Sequence, residues 1–136
     1  MDNEELYKII KEFSQKAGYN CENPIAETIQ IIVNGKRTVF VEPHTENDEI
    51  RFIGAVIPLT GNINEDSERS MKFLIRNKRL YLGRWAIDIH NDKDFYFILI
   101  HTLELKSIDL QMFKNIVKTL CKEYEGLLRA IELEKF

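Results

Sequence analysis

Residues 80–133 read LYLGRWAIDIHNDKDFYFILIHTLELKSIDLQMFKNIVKTLCKEYEGLLRAIEL, and this stretch decides the fold. Gly83 breaks the pattern before it. Trp85, Ile87 and Ile89 then alternate with Arg84, Asp88 and His90, the period of a strand with one buried face, so Trp85 is expected in the core. The polar turn Asn91-Asp92-Lys93-Asp94 leads into Phe95 to Leu103. That run is apolar at nearly every position, which places its strand inside a sheet. Ser107 or Asp109 stands where a helix needs its N-cap. Beyond it, Met112, Phe113, Ile116, Val117, Leu120, Tyr124, Leu127, Leu128 and Ile131 recur at helical spacing. Lys114, Lys118, Lys122, Glu125, Arg129 and Glu132 cover the rest. Gly126, inside this helix, costs about 1 kcal/mol against alanine. Two strands followed by a long amphipathic helix form the C-terminal leg.

Working outward, the N-terminal leg begins with a helix over about Asn3 to Ala17. Asp2 and Glu5 have capping-box spacing, and Gly18 sits where a helix stop belongs. Leu6, Ile9, Ile10, Phe13 and Ala17 share one stripe. Residues 19–24 read as a polar connector ending in Pro24. Ile25 to Val33 is β-rich, and Asn34-Gly35 supplies a two-residue hairpin turn because both positions need positive φ. Lys36 to Glu42 returns, and Pro43 is expected to end that strand. Glu49 to Leu59 is apolar on both faces, hence interior. A short helix follows from the acidic lead-in Asn62 to Asp66 through about Asn77, with Met71, Leu74 and Ile75 as its apolar stripe. The expectation is one α+β domain over residues 1–136, in the order α-β-β-β-α-β-β-α, with helices packed against a twisted antiparallel sheet.

The chain has 136 residues, 44% of them hydrophobic and 30% charged, enough for a real core. A net charge of −3 argues against nucleic acid as the main partner. Cys21 and Cys121 lie far apart without CxxC spacing, which fits a reducing cytoplasm rather than a disulfide framework. The acidic N-terminus lacks the apolar stretch of a signal peptide, and no apolar run reaches the ~20 residues a membrane helix needs.

No catalytic constellation stands out, and neither a cofactor nor a metal is expected. His44, His90 and His101 have no second ligand at metal spacing. His90 and Asp88 share a strand face and could begin a dyad, but no third group lies near in sequence. His101, beside Phe97 and Leu99, reads as a core or interface histidine. The acidic group Asp88, Asn91, Asp92 and Asp94 fails as a calcium loop. Lys93 and Leu99 stand where such a loop needs its glycine and its last carboxylate. Cys121 reads as a small core residue.

One charge feature is left. Arg69, Lys72, Arg76, Lys78, Arg79 and Arg84 follow one another without an acidic residue between Arg69 and Arg84. They make a local positive patch at the second helix and the turn after it. Such a run commonly solvates a helix face and suits its C-terminus. As a functional feature it would dock an acidic segment of a partner.

The motif Leu82-Gly83-Arg84-Trp85-Ala86-Ile87-Asp88, the aromatic strand Phe95-Tyr96-Phe97-Ile98-Leu99 and a helix opening near Ser107-Ile108-Asp109 together resemble the C-terminal half of YbjN-like proteins. The whole element order, with Ile57-Pro58-Leu59 before the second helix, resembles the wider type III secretion chaperone-like group. This resemblance implies the α+β fold above, a homodimer, and a role in holding other proteins. The apolar surplus of the strands points the same way, since a monomer of this size would leave apolar surface for a partner. The expected function is a non-enzymatic, cytoplasmic, dimeric, chaperone-like module that captures an extended or partly unfolded partner protein, such as a secreted effector. Strand faces would supply affinity and sheet edges hydrogen bonds. The alternative is a YbjN-like regulatory protein in signalling or transcription control. An enzyme built on His90 and Asp88 is a third class.

Overall fold

The computed structural model describes residues 2–25, 28–35, 37–90 and 93–136, with the side chains of residues 23–25 and 90 left aside. The order is α1 (Asn3–Ala17), β1 (Asn20–Ile25), β2 (Thr28–Val33), β3 (Arg37–His44), β4 (Glu49–Pro58), α2 (Ile63–Asn77), β5 (Arg84–His90), β6 (Asp94–Glu104) and α3 (Leu110–Glu132). All six strands pair antiparallel in one sheet, ordered β1-β2-β3-β4-β6-β5. The α+β class is as expected, with one strand more.

That extra strand corrects the reading of residues 19–24 as a connector. Their polarity fits an edge strand, which needs a partner on one side only. The register of β1 slips between Glu22 and Ile25, and Pro24 falls within that slip, the place where a sheet tolerates a missing donor. Pro43 likewise does not end its strand. β3 continues to His44, and Pro43 pairs with Ile50 of β4; among the described residues Val41 is the last one paired with β2. The turn at Asn91 and Asp92 lies outside the described residues.

Local signals hold elsewhere. Asp2 Oδ1 accepts from the Glu5 N–H at 2.8 Å, and Gly18 closes α1 at φ 81°. Asn34 and Gly35 both take positive φ, 54° and 69°, as a two-residue hairpin requires. Of the two caps considered for α3, Asp109 serves, accepting from the Met112 N–H at 2.7 Å.

Register puts Ile29, Ile31, Val39, Val41, Phe52, Leu99, Phe97 and Trp85 on one face, where all three helices pack. Phe113 of α3 meets Phe52 of β4 and Phe13 of α1, and Phe73 of α2 meets Trp85 and Phe97. α3 crosses the sheet at Gly54, where a Cβ would stand 2.8 Å from the Leu120 Cβ. This close approach explains a glycine inside an interior strand. Gly126 has a similar reason: a Cβ there would lie 3.3 Å from the Arg76 guanidinium, which packs over it.

The opposite face carries no helix. Its central row holds Ile32, Phe40, Ile53, Val56, Ile98 and Ile100.

Candidate protein-binding surface

The sequence places its cationic run on α2 and the turn to β5, and two devices fix that region. Asn77, at the end of α2, clamps β5. Its Oδ1 accepts from the Trp85 N–H at 2.6 Å and its Nδ2 donates to the Trp85 carbonyl at 3.0 Å. The turn of residues 78–84 is thereby closed at its base. At the other end, the buried Asp66 carboxylate accepts from the Thr60 N–H, the Thr60 hydroxyl and the Gly61 N–H at 2.8–3.0 Å. Burial alone would raise its pKa. The bonds from Thr60 and Gly61, with the Arg69 guanidinium, hold it below the usual carboxylate range. Neither Asn77 nor Asp66 stood out in the sequence. Both are polar residues whose partners come from chain several residues away.

The six cations separate into two sets. Arg69, Lys72 and Arg76 turn inward. Arg69 sits 3.9 Å from Asp66 and over the Phe97 ring. Lys72 pairs with Glu68 at 3.4 Å and lies over the Phe136 ring. Arg76 Nε donates to Glu123 of α3, whose same oxygen accepts from the Trp85 indole N–H at 3.3 Å. Arg69 and Arg76 therefore tie α2 to the sheet and α3, and Lys72 to the C-terminal Phe136. Lys78, Arg79 and Arg84 are exposed around the turn. Arg84 faces the helix-free side, opposite Ile100 of β6.

Beside this turn runs an apolar margin. Trp85 is buried as expected, at 3% exposure. Ile87 and Ile89, in phase with it, stand 52% and 57% exposed, because α2 covers only the start of β5. Met71, Leu74 and Ile75 of α2 and Phe95 of β6 are exposed as well. A shallow cavity of about 220 Å³ opens between α2 and β5, lined by Phe73, Leu74, Trp85 and Ile87 among others. β5 is also a sheet edge. Unlike β1, it pairs in continuous register from Arg84 to His90 without a proline; Asn77 occupies the outward N–H and carbonyl of Trp85 and Asp88 the N–H of Ile89, so the open stretch of this edge is centred on Ile87.

The helix-free face is the second apolar surface. Val56 is half exposed there, and Ile32, Phe40 and Ile53 are partly exposed. Arg51 interrupts it between Glu42 and Thr102, with its Nε buried and without a hydrogen-bond partner. Glu42 stands across from it but turns to His44 at 3.6 Å.

His101 Nδ1 accepts from the Gly83 N–H at 3.0 Å, and burial, with Arg84 adding, lowers its pKa and favours the neutral ring that this bond needs. The His90 side chain lies outside the described residues, and the exposed Asp88 accepts from the Ile89 N–H. Among the described residues, no three of His, Cys, Asp and Glu are placed to hold a metal, and no helix is long and apolar enough to cross a membrane.

No family model matches the chain, and no curated protein is detectably similar in sequence. Solved structures are similar in fold. A chain of the HopA1–SchA chaperone–effector complex superposes at TM-score 0.63 with 11% identity, over 93% of this chain and 96% of that one. YbjN from E. coli, described as a proposed transcription regulator, superposes at 0.66 with 10% identity, over 93% and 92%. The α+β fold is thus shared with a chain of that chaperone–effector complex and with YbjN.

Proposed function

We propose that this chain is a non-enzymatic, chaperone-like protein-binding module, a single α+β domain working as a homodimer in the cytoplasm. One observation carries the reading. A six-stranded sheet keeps all its helices on one face, so a small domain is left with two apolar surfaces, the β5–α2 margin and the helix-free face. The margin suits a second copy of the chain. An apolar margin of Ile87, Ile89, Met71 and Leu74, with the β5 edge open around Ile87, would be self-complementary about a two-fold axis. The helix-free face then takes an extended or partly unfolded partner segment. Its apolar residues would lie along Phe40, Ile53 and Val56, and its acidic residues would meet Arg84, Lys78 and Arg79. The fold shared with a chaperone–effector complex supports a protein as partner. The equal likeness to YbjN supports the second reading, a regulator that binds a protein without holding it unfolded.

Two measurements test this. Light scattering at micromolar concentration should give twice 16.1 kDa, and Ile87→Lys with Ile89→Lys should return it to one chain's mass. A monomeric wild-type protein refutes the dimer. A permanently unfolded probe, reduced and carboxymethylated α-lactalbumin, should bind saturably to wild type and weakly to the Phe40→Glu, Ile53→Glu variant. Equal binding by both refutes the assignment of the helix-free face. Binding only to a native partner, with none to the unfolded probe, favours the regulator.

A further inference from the structure

On the side of the molecule away from the β5–α2 margin, α3 and the β2–β3 turn enclose a cleft of about 750 Å³. Arg37 of β3, with Lys118 and Lys122 of α3, brings three cations to it. Among the described residues, Glu125 is the one carboxylate on its lining. Glu125 stands 3.4 Å from Arg37 Nε, yet that Nε is buried and lacks a hydrogen-bond partner among the described residues. The guanidinium is held in place from one side by the Tyr124 ring, 5.4 Å away. Its position is set by that ring and by the Glu125 ion pair, and among the described residues the hydrogen of its buried Nε is left unspent. In a chain of net charge −3, such a concentration of cations in a concave site is local, and Glu125 offsets one of the three.

We propose that this cleft binds a small organic phosphate monoester in its dianionic form. Three cations against one carboxylate leave a surplus that a dianion neutralises. Arg37 offers the planar fork that phosphate oxygens match, with the two lysines as point charges beside it. The walls suit an organic body, because Val33 and Tyr19 close the cleft on the sheet side. The remaining groups donate rather than repel. Burial, with Cys121 adding, raises the Tyr19 pKa, which keeps its phenol protonated. Burial, with Glu125 adding, pushes the Cys121 thiol up to about 11 and leaves it uncharged. The volume lies in the range of ordinary small-molecule sites. The site shares no lining residue with either surface assigned to protein partners, so it stands or falls independently of that assignment.

Titration calorimetry of the full chain with phenyl phosphate tests the proposal, at constant ionic strength and near pH 8, above the second phosphate pKa of about 6. Saturable one-to-one binding is expected in wild type. Lys118→Gln with Lys122→Gln should weaken it by about tenfold or more, through loss of two charge-assisted contacts. Both lysines are exposed, so the thermal midpoint of the free protein should stay at the wild-type value. Benzenesulfonate, of similar shape with a single charge, should bind markedly less well. No saturable heat with phenyl phosphate overturns the proposal. So does equal affinity in the double variant, or equal affinity for the sulfonate.

Discussion

Replacing Trp85 with alanine tests the packing on which the α2–β5 region depends. The side chain is 3% exposed, and its ring lies 4.4 Å from Phe73, which in turn contacts Phe97 and Phe136. Truncating a buried tryptophan costs about 3–5 kcal/mol. Two features set the value within that range. The ring already borders the α2–β5 cavity, so the void joins a space that water can enter, which favours the lower end. The lost Phe73 stack adds about 0.5–1.5 kcal/mol. Glu123 keeps its bond from Arg76, so no buried charge is stranded. The expected loss is about 4 kcal/mol. Trp85→Phe keeps a ring on Phe73 and drops the long indole bond to Glu123, for a smaller loss of about 1–2 kcal/mol. Urea unfolding followed by far-UV circular dichroism, at one fixed protein concentration, measures both. An alanine variant within about 1 kcal/mol of wild type, with unchanged denaturant slope, refutes Trp85 as the anchor between α2 and the sheet.

Gly54→Ala should destabilise by about 1–3 kcal/mol, because its Cβ meets the Leu120 Cβ at 2.8 Å and the contact is not a flexible tip. Chemical denaturation checks it, and a neutral result would mean that α3 does not cross the sheet there. His101 has a folded pKa below its ordinary 6.5, so its contribution to stability is complete above 6.5 and falls away as pH drops from there through the folded value. Unfolding free energy should thus rise with pH across that window, and His101→Gln should flatten the rise. Reversing Lys78 and Arg79 to glutamate should leave the thermal midpoint nearly unchanged while weakening capture of an acidic partner segment, most at low salt. Binding assays at two salt concentrations with wild-type and reversed protein would show it, and identical affinities throughout would mark the turn as a solvated face.

Much of this protein was legible in its sequence because the deciding interactions are local. Alternation in β5, the unbroken apolar run of β6, the Asn34-Gly35 turn and the caps at Asp2 and Asp109 all depend on neighbours within a few residues. Those signals were enough for the α+β class, the interior places of β4 and β6, and the burial of Trp85. What stayed hidden depends on which surface another element covers. β1 looks like a connector because an edge strand needs no apolar pattern, only a partner, and Pro24 masks it further. Ile87 and Ile89 share the phase of Trp85, yet α2 packs closely only on Trp85 and leaves them exposed. Periodicity names a face of the sheet and cannot say how far along it a helix extends. The six cations are alike in sequence, but Glu123, Asp66, Glu68 and two aromatic rings, some brought from distant chain, draw Arg69, Lys72 and Arg76 inward. The cleft of Arg37, Lys118 and Lys122 has no sequence signal at all, because β3 and α3 meet there only when the sheet has formed and α3 has crossed it.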